Sequence, residues 1–107
     1  MDEADIATGE ALVGVLASFV ESLASRGLAP RTIRRHVDNL WLLGGEIISK
    51  INVFPDERQK TVWELLDTWV DDEGGPLSTH LQSDGDRKSF DSTCRKLHAF
   101  LKARKGI

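Results

Sequence analysis

Side chains suited to catalysis or metal binding are few and scattered along the 107 residues of this chain. The three histidines, His36, His80 and His98, form no pair at i, i+4, so they lack the spacing of a helical metal site, and we expect them at the surface or its boundary. Cys94 is the single cysteine, which excludes an intramolecular disulfide. It falls on an apolar stripe, which favours a core residue over a nucleophile. No catalytic constellation stands out, so we predict a protein that is not an enzyme and holds no metal or other cofactor.

The basic side chains are the more informative set, because the charges are segregated. The whole chain has a net charge of −3. Residues 87–107 carry seven bases against one acid, a net of 7 − 1 = +6, while residues 52–73 carry two bases against seven acids, a net of 2 − 7 = −5. A surface of this kind is bipolar, and its basic pole is a candidate for contact with a polyanion. The candidate contact residues are Arg31, Arg34, Arg35, Arg87, Lys88, Arg95, Lys96, Lys102 and Arg104.

Hydrophobic periodicity predicts that helices carry these bases. Leu12, Leu16, Phe19, Val20 and Leu23 have the spacing of an amphipathic helix over about 9–25, after a flexible acidic tail at 1–8. Further helices are predicted over about 30–51, 55–72 and 87–104. No segment reads as a strand, so residues 9–105 are expected to form one all-α domain of four main helices.

Glycine, proline and short polar side chains mark the expected boundaries. Gly27 should end the first helix and Pro30 should start the second. Gly44 and Gly45 weaken the second helix, so we expect a close helix crossing or a kink there.

The remaining boundary and aromatic residues carry weaker expectations. The segment 77–82 should form a short helical turn, and Asp86 or Ser89 should cap the last helix. Trp69 falls on an inner stripe and is expected in the core, whereas Trp41 and Trp63 could anchor a partner.

The second and last helices resemble each other. A shift of 57 residues places Thr32, Ile33, Val37, Leu40 and Leu43 on Ser89, Phe90, Cys94, Leu97 and Phe100. Each helix also carries a basic pair and follows a Ser-x-Gly turn. Either the two segments share a pattern or two amphipathic helices match by chance.

Residues Arg26, Gly27, Leu28, Pro30, Thr32 and Ile33 carry a family resemblance. The stretch FVESLASRGLAPRTIRRHVDNLWLL resembles the start of the N-terminal, SAM-like core-binding domain of tyrosine recombinases, the phage integrases. Residues 10–51 match well, and residues 87–104 match in outline through Ser89, Phe90, Cys94 and Leu97. The resemblance implies a SAM-like bundle whose second and fourth helices face DNA.

The departures from that family limit what the resemblance implies. Ala29 stands where the family has a serine that caps the helix. The acidic region 52–82 does not match. The chain has no tyrosine, so the nucleophile of the family is absent. The resemblance therefore implies DNA binding without DNA cleavage.

Two functions remain as hypotheses. The first is a non-catalytic DNA-binding module that binds weakly and with salt sensitivity through its second and fourth helices. The second is a protein-interaction or self-assembly module in which an acidic third helix meets the basic last helix of a partner or a second copy. The acidic start is unlike a signal peptide, and we expect no stretch to approach the roughly 18 apolar residues of a membrane span, so we predict a cytoplasmic protein without a membrane partner.

Overall fold

The computed structural model describes residues 3–78 and 80–105, and the side chains of residues 6–78 and 80–104. These residues form four α-helices: α1 (Glu3–Ser25), α2 (Pro30–Val53), α3 (Val62–Trp69) and α4 (Asp84–Lys105). A 3-10 helix, Pro55–Gln59, lies between α2 and α3. The described part of the chain contains no strand. The all-α prediction is confirmed.

The joint between α1 and α2 forms as the sequence predicts. Gly27 has a positive φ of 77°, and its amide donates to the carbonyl of Ala24 at 3.0 Å, which closes the last turn of α1. Pro30 starts α2, where its missing N–H costs nothing. Ala29 is the N-cap and provides no side-chain hydrogen bond. The joint is therefore tight but lacks one stabilising cap.

The acidic third segment differs from its prediction. The expected single helix over 55–72 is wrong, because Lys60 is extended and separates the 3-10 helix from α3. The side chain of Thr61 accepts from the amide of Glu64, and the side chain of Glu64 accepts from the amide of Thr61. This capping box starts a new helix at Val62, so α3 has only eight residues.

The other boundaries differ more modestly. α1 begins at Glu3, so residues 3–8 of the expected flexible tail are helical, and residues 1–2 lie outside the described residues. α4 begins at Asp84, and the hydroxyl of Ser83 accepts from the amide of Asp86. Ser83 therefore caps this helix instead of Asp86 or Ser89. Of the expected helical turn over 77–82, the described residues show one hydrogen-bonded turn, in which the amide of Leu81 donates to the carbonyl of Ser78 at 3.4 Å, and no helix.

The core lies between one side of each α-helix. α1 contributes Leu12, Phe19 and Leu23, and the rings of Phe19 and Phe100 pack at 5.5 Å between centroids. Cys94 is buried, as predicted. The other buried apolar side chains come from α2, from α3 and the residue directly after it, and from α4. They are Leu40, Leu43, Ile47, Ile51, Leu65, Leu66, Val70, Phe90, Leu97 and Leu101.

The tryptophans occupy different environments. Trp69 packs against the core but is only half-buried, and its ring stacks on Phe54 with 6.5 Å between centroids. Trp63 is half-buried beside the core. Trp41 is 73% exposed.

The two central glycines of α2 do not serve a helix crossing within this chain. A Cβ added to Gly44 or Gly45 would meet no atom within 4 Å. The prediction of a close crossing is therefore wrong for the described residues. α2 also continues without interruption through both glycines.

α1 is unusually apolar for a helix that contributes a narrow stripe to the core. Residues Ile6–Ser25 have a mean hydropathy of 1.5 and are long enough to cross a membrane, although core helices pass the same test. The expectation that no stretch approaches this length is therefore wrong. Only 17% of the most apolar window of α1 is buried. Much apolar surface on this helix is left uncovered.

The loop between α3 and α4 is held against α4 by Arg87. Its guanidinium donates to the carbonyls of Gly75 and Pro76, both at 2.8 Å, and to the carboxylate of Asp91 at 3.0 Å. The amide of Gly75 donates to Asp91. A Cβ at Gly75 would lie 2.5 Å from the sulfur of Cys94, so only glycine fits this close approach.

Candidate nucleic-acid interface

A buried hydrogen-bond network joins α2 to α4. Nδ1 of His36 lies 2.6 Å from the hydroxyl of Thr93. The side-chain amide of Asn39 donates through Nδ2 to the same hydroxyl at 2.8 Å. It also donates to the hydroxyl and the carbonyl of Ser89, at 3.1 and 3.2 Å. Residue numbers rise along α2 as they fall along α4, so the two helices run antiparallel. The network fixes their register.

The hydroxyl of Thr93 can donate to Nδ1 of His36 or accept from it, according to the tautomer of the ring. This hydroxyl also lies 3.3 Å from the carbonyl of Ser89, which can only accept. When Thr93 donates its one proton there, it accepts from Asn39 and from Nδ1–H of His36. Nε2 of His36 is buried and has no hydrogen-bond partner among the described residues. The arrangement therefore suits the neutral ring.

Two cations next to this network come from different helices. The pKa of His36 is lowered from 6.5, first by burial and then by the positive charges of Arg35 and Lys96. Arg35 is on α2 and Lys96 is on α4, and both are exposed. Arg35 directly precedes His36 and Lys96 lies one turn after Thr93, so both charges are near the contact between the helices.

Helical periodicity extends this positive surface along both helices. Each residue advances by about 100°, so Arg31 lies one turn before Arg35 on the same side of α2. Lys88, Arg95 and Lys102 follow one another at seven-residue intervals on an exposed side of α4, away from the side on which Ser89 and Thr93 meet α2. We define the basic face as six exposed residues on the outward sides of α2 and α4: Arg31, Arg35, Lys88, Arg95, Lys96 and Lys102.

Three of the nine candidate residues lie elsewhere. Arg87 is half-buried and uses its guanidinium to hold the loop before α4. Arg104 lies over the rings of Trp63 and Phe100, at 5.9 and 5.4 Å from the centroids, on the side of α4 that meets α1 and α3. Arg34 is exposed, but it is seven residues before Trp41 and so lies on the other edge of α2.

His36 is the residue that the sequence interpretation placed wrongly. It is fully buried, whereas we expected a surface or boundary histidine. Two features of the sequence pointed to its position. It lies four residues before Leu40 and seven before Leu43, both buried, and the 57-residue shift places it on Thr93, the residue it contacts.

Cys94 is not available as a nucleophile in this environment. Burial raises its pKa to about 12, and the charges of Asp91 and Asp71 act in the same direction. The thiol is therefore protonated at neutral pH. Among the described residues, no group of three or more His, Cys, Asp or Glu side chains could hold a metal ion.

The described residues form a helical protein with exposed bases on the outward sides of α2 and α4, of which Arg35 and Lys96 lie near the contact between the two helices. Comparison with known proteins found no matching family model, no matching curated protein and no matching solved structure.

Proposed function

We propose that this chain is a non-catalytic DNA-binding module that contacts the DNA backbone through the basic face. The observation that carries the proposal is the pairing of α2 with α4 through His36 and Thr93, with Arg35 next to His36 on α2 and Lys96 one turn after Thr93 on α4. Bases from two helices then border one surface. The likeness of residues 10–51 to an integrase core-binding domain supports the same proposal.

Phosphate contacts would supply most of the affinity. Exposed arginine and lysine side chains bind phosphates without reading sequence, and they release counterions when they do so. The acidic segment 52–73 and the net charge of −3 oppose tight binding. We therefore expect a dissociation constant on the scale of nonspecific binding, roughly 10⁻⁴–10⁻⁶ M, with steep salt dependence.

The proposal includes a cytoplasmic location, where DNA is accessible to the chain. The unpaired, buried Cys94 is compatible with a reducing compartment. The apolar stripe of α1 contributes Leu12, Phe19 and Leu23 to the core, as is typical of a helix in a protein surrounded by water.

An NMR titration tests this proposal residue by residue. Unlabelled duplex DNA of about 20 base pairs is added to ¹⁵N-labelled protein at low salt. We expect the largest amide shifts around residues 31–35 and 88–96, and small shifts around residues 55–73. Shifts that are absent, or that are centred on residues 55–73, would refute the proposal. Sedimentation of the free protein at the same salt tests the alternative, self-assembly through the acidic third segment.

A further inference from the structure

An open apolar trough runs between α1 and α2, on a different side of α2 from the basic face. Its volume is about 780 Å³. On α1 it extends from Ile6 to Val20, which is about 21 Å at 1.5 Å per residue. On α2 it extends from Val37 to Ile48. A trough of this length matches about four turns of an α-helix.

The side chains along the trough are apolar and poorly covered. Val13 is 57% exposed and Ile6 is 50% exposed. Trp41 lines the trough and is 73% exposed, the largest uncovered aromatic side chain among the described residues. Contiguous apolar surface of this kind marks a site of association.

Glycines deepen the trough without serving the packing of this chain. Gly9, Gly44 and Gly45 line it, and a Cβ on any of them would meet nothing within 4 Å. Glycine destabilises the interior of a helix, so three glycines at unfilled positions need another explanation. Close approach of a second backbone would use the space that they leave.

The charges beside the trough are asymmetric. Glu10 lines it, and Glu21 lies eleven residues later, three turns along the same edge of α1. α1 contains no lysine or arginine. The opposite edge, on α2, carries Arg34, while Asp38 lies seven residues after Arg31, between that edge and the basic face. The α1 edge therefore complements a positively charged partner.

We propose that this trough binds an amphipathic α-helix of another protein, with an apolar stripe in the trough and lysine or arginine residues along the side facing α1. This is the helix-in-groove mode of recognition, in which apolar anchors at i, i+3, i+4 and i+7 enter a groove. The exposed ring of Trp41 borders the bound helix and covers it from the α2 side. This inference does not depend on DNA binding, because it uses other residues.

Charge and length distinguish this occupant from the others. A second copy that paired through α1 would bring acidic edges together, since α1 has no base to offer. Anionic membranes attract lysine and arginine, which α1 lacks. A compact ligand would leave much of a trough of about 21 Å uncovered.

A designed peptide pair provides the probe. One 18-residue helical peptide has leucines at i, i+3, i+4 and i+7 with lysines elsewhere, and its control replaces every lysine with glutamate. Each is titrated into ¹⁵N-labelled protein at 0.15 M salt. We expect the lysine peptide to shift the amides of residues 9–20 and 37–48, and the glutamate peptide to bind at least tenfold more weakly.

Three variants make the test specific to the trough. Gly44→Leu fills it and should weaken binding of the lysine peptide at least tenfold, while thermal unfolding shows that the variant is folded. Glu10→Lys with Glu21→Lys should shift the preference towards the glutamate peptide. Asp72→Lys with Glu73→Lys makes the same change in charge on the loop after α3 and should leave binding at the trough unchanged.

The following outcomes would overturn the proposal. One such outcome is that the lysine peptide would bind Gly44→Leu and the wild type equally, or that the amide shifts it causes would fall outside the trough. A second is that sedimentation would show a dimer of the wild type that Gly44→Leu abolishes, which would make a second copy of the chain the occupant. A third is that phosphatidylcholine vesicles would capture the wild type but not Gly44→Leu, which would make the occupant a lipid surface.

Discussion

His36 is a titratable side chain placed where a positive charge is costly. It is fully buried, Nε2 lacks a partner among the described residues, and Arg35 and Lys96 are both positive. Its pKa in the folded protein is therefore below 6.5, its ordinary value in the unfolded chain. At pH values between the folded and unfolded pKa of His36, the unfolded chain binds more protons than the folded one. The free energy of unfolding therefore falls as the pH falls below about 6.5.

A glutamine at position 36 tests this linkage. His36→Gln keeps a side chain that can hydrogen-bond to Thr93 but cannot titrate. We expect the melting temperature of the wild type to decline between pH 7.5 and 5.5 and that of His36→Gln to decline less, as measured by circular dichroism. His80→Gln, which removes an exposed histidine, should behave as the wild type. Equal slopes for His36→Gln and the wild type would contradict the account.

Two glycines at different positions should respond to alanine in opposite directions. At Gly75 the new Cβ would contact Cys94 and Phe90 at 2.5 and 2.8 Å, so Gly75→Ala should destabilise the protein by about 1–3 kcal/mol. At Gly44 the space is open, so Gly44→Ala should stabilise it by about 1 kcal/mol through helix propensity. Urea denaturation measures both. Loss of stability in Gly44→Ala would show that the glycine serves the fold of this chain.

At the scale of elements, most of the helices were predictable and one was not. Apolar spacing, Gly27 and Pro30 were enough to locate α1, α2 and their joint. The apolar positions of the third segment keep a helical period across Lys60, so periodicity predicts one helix there. The capping box of Thr61 and Glu64, formed between neighbours, starts a separate helix instead. Local hydrogen bonding of this kind competes with periodicity.

The start of α2 offers a direct test at this scale. Ala29 has the extended backbone of an N-cap, with φ −61° and ψ 143°, but no side chain to accept from the first turn. Ala29→Ser should therefore stabilise the protein by about 1 kcal/mol in urea denaturation. Ala24→Ser, in the last turns of α1, is the matched control and should not stabilise it. No gain from Ala29→Ser would show that the joint excludes the serine rotamer that caps.

For the molecule as a whole, the grouping of charges could be predicted but the choice of residues could not. Both basic helices were identified from sequence. Their antiparallel contact depends on Asn39, Ser89, Thr93 and His36, polar residues that apolar periodicity does not report. The role of Arg87 in holding the loop could not be recognised either, because its partners are main-chain carbonyls that are distant in sequence.

The salt dependence of DNA binding tests the central proposal most directly. Arg35→Glu with Lys96→Glu, the seam variant, reverses two charges near the contact between α2 and α4. Arg58→Glu with Lys60→Glu makes the same change near the opposite end of α2, where Arg58 donates to Asn52, about 26 Å along the helix from Arg35. Fluorescence anisotropy of a labelled duplex, recorded over a series of salt concentrations, gives the slope of log K against log salt.

We expect wild-type binding to weaken steeply with salt. The seam variant should bind more weakly, with a slope smaller in magnitude by about 2, because two phosphate contacts are lost. The control variant should keep a slope close to that of the wild type. Equal slopes for the seam variant and the wild type, or no binding by the wild type at low salt, would contradict the proposal that the basic face binds DNA.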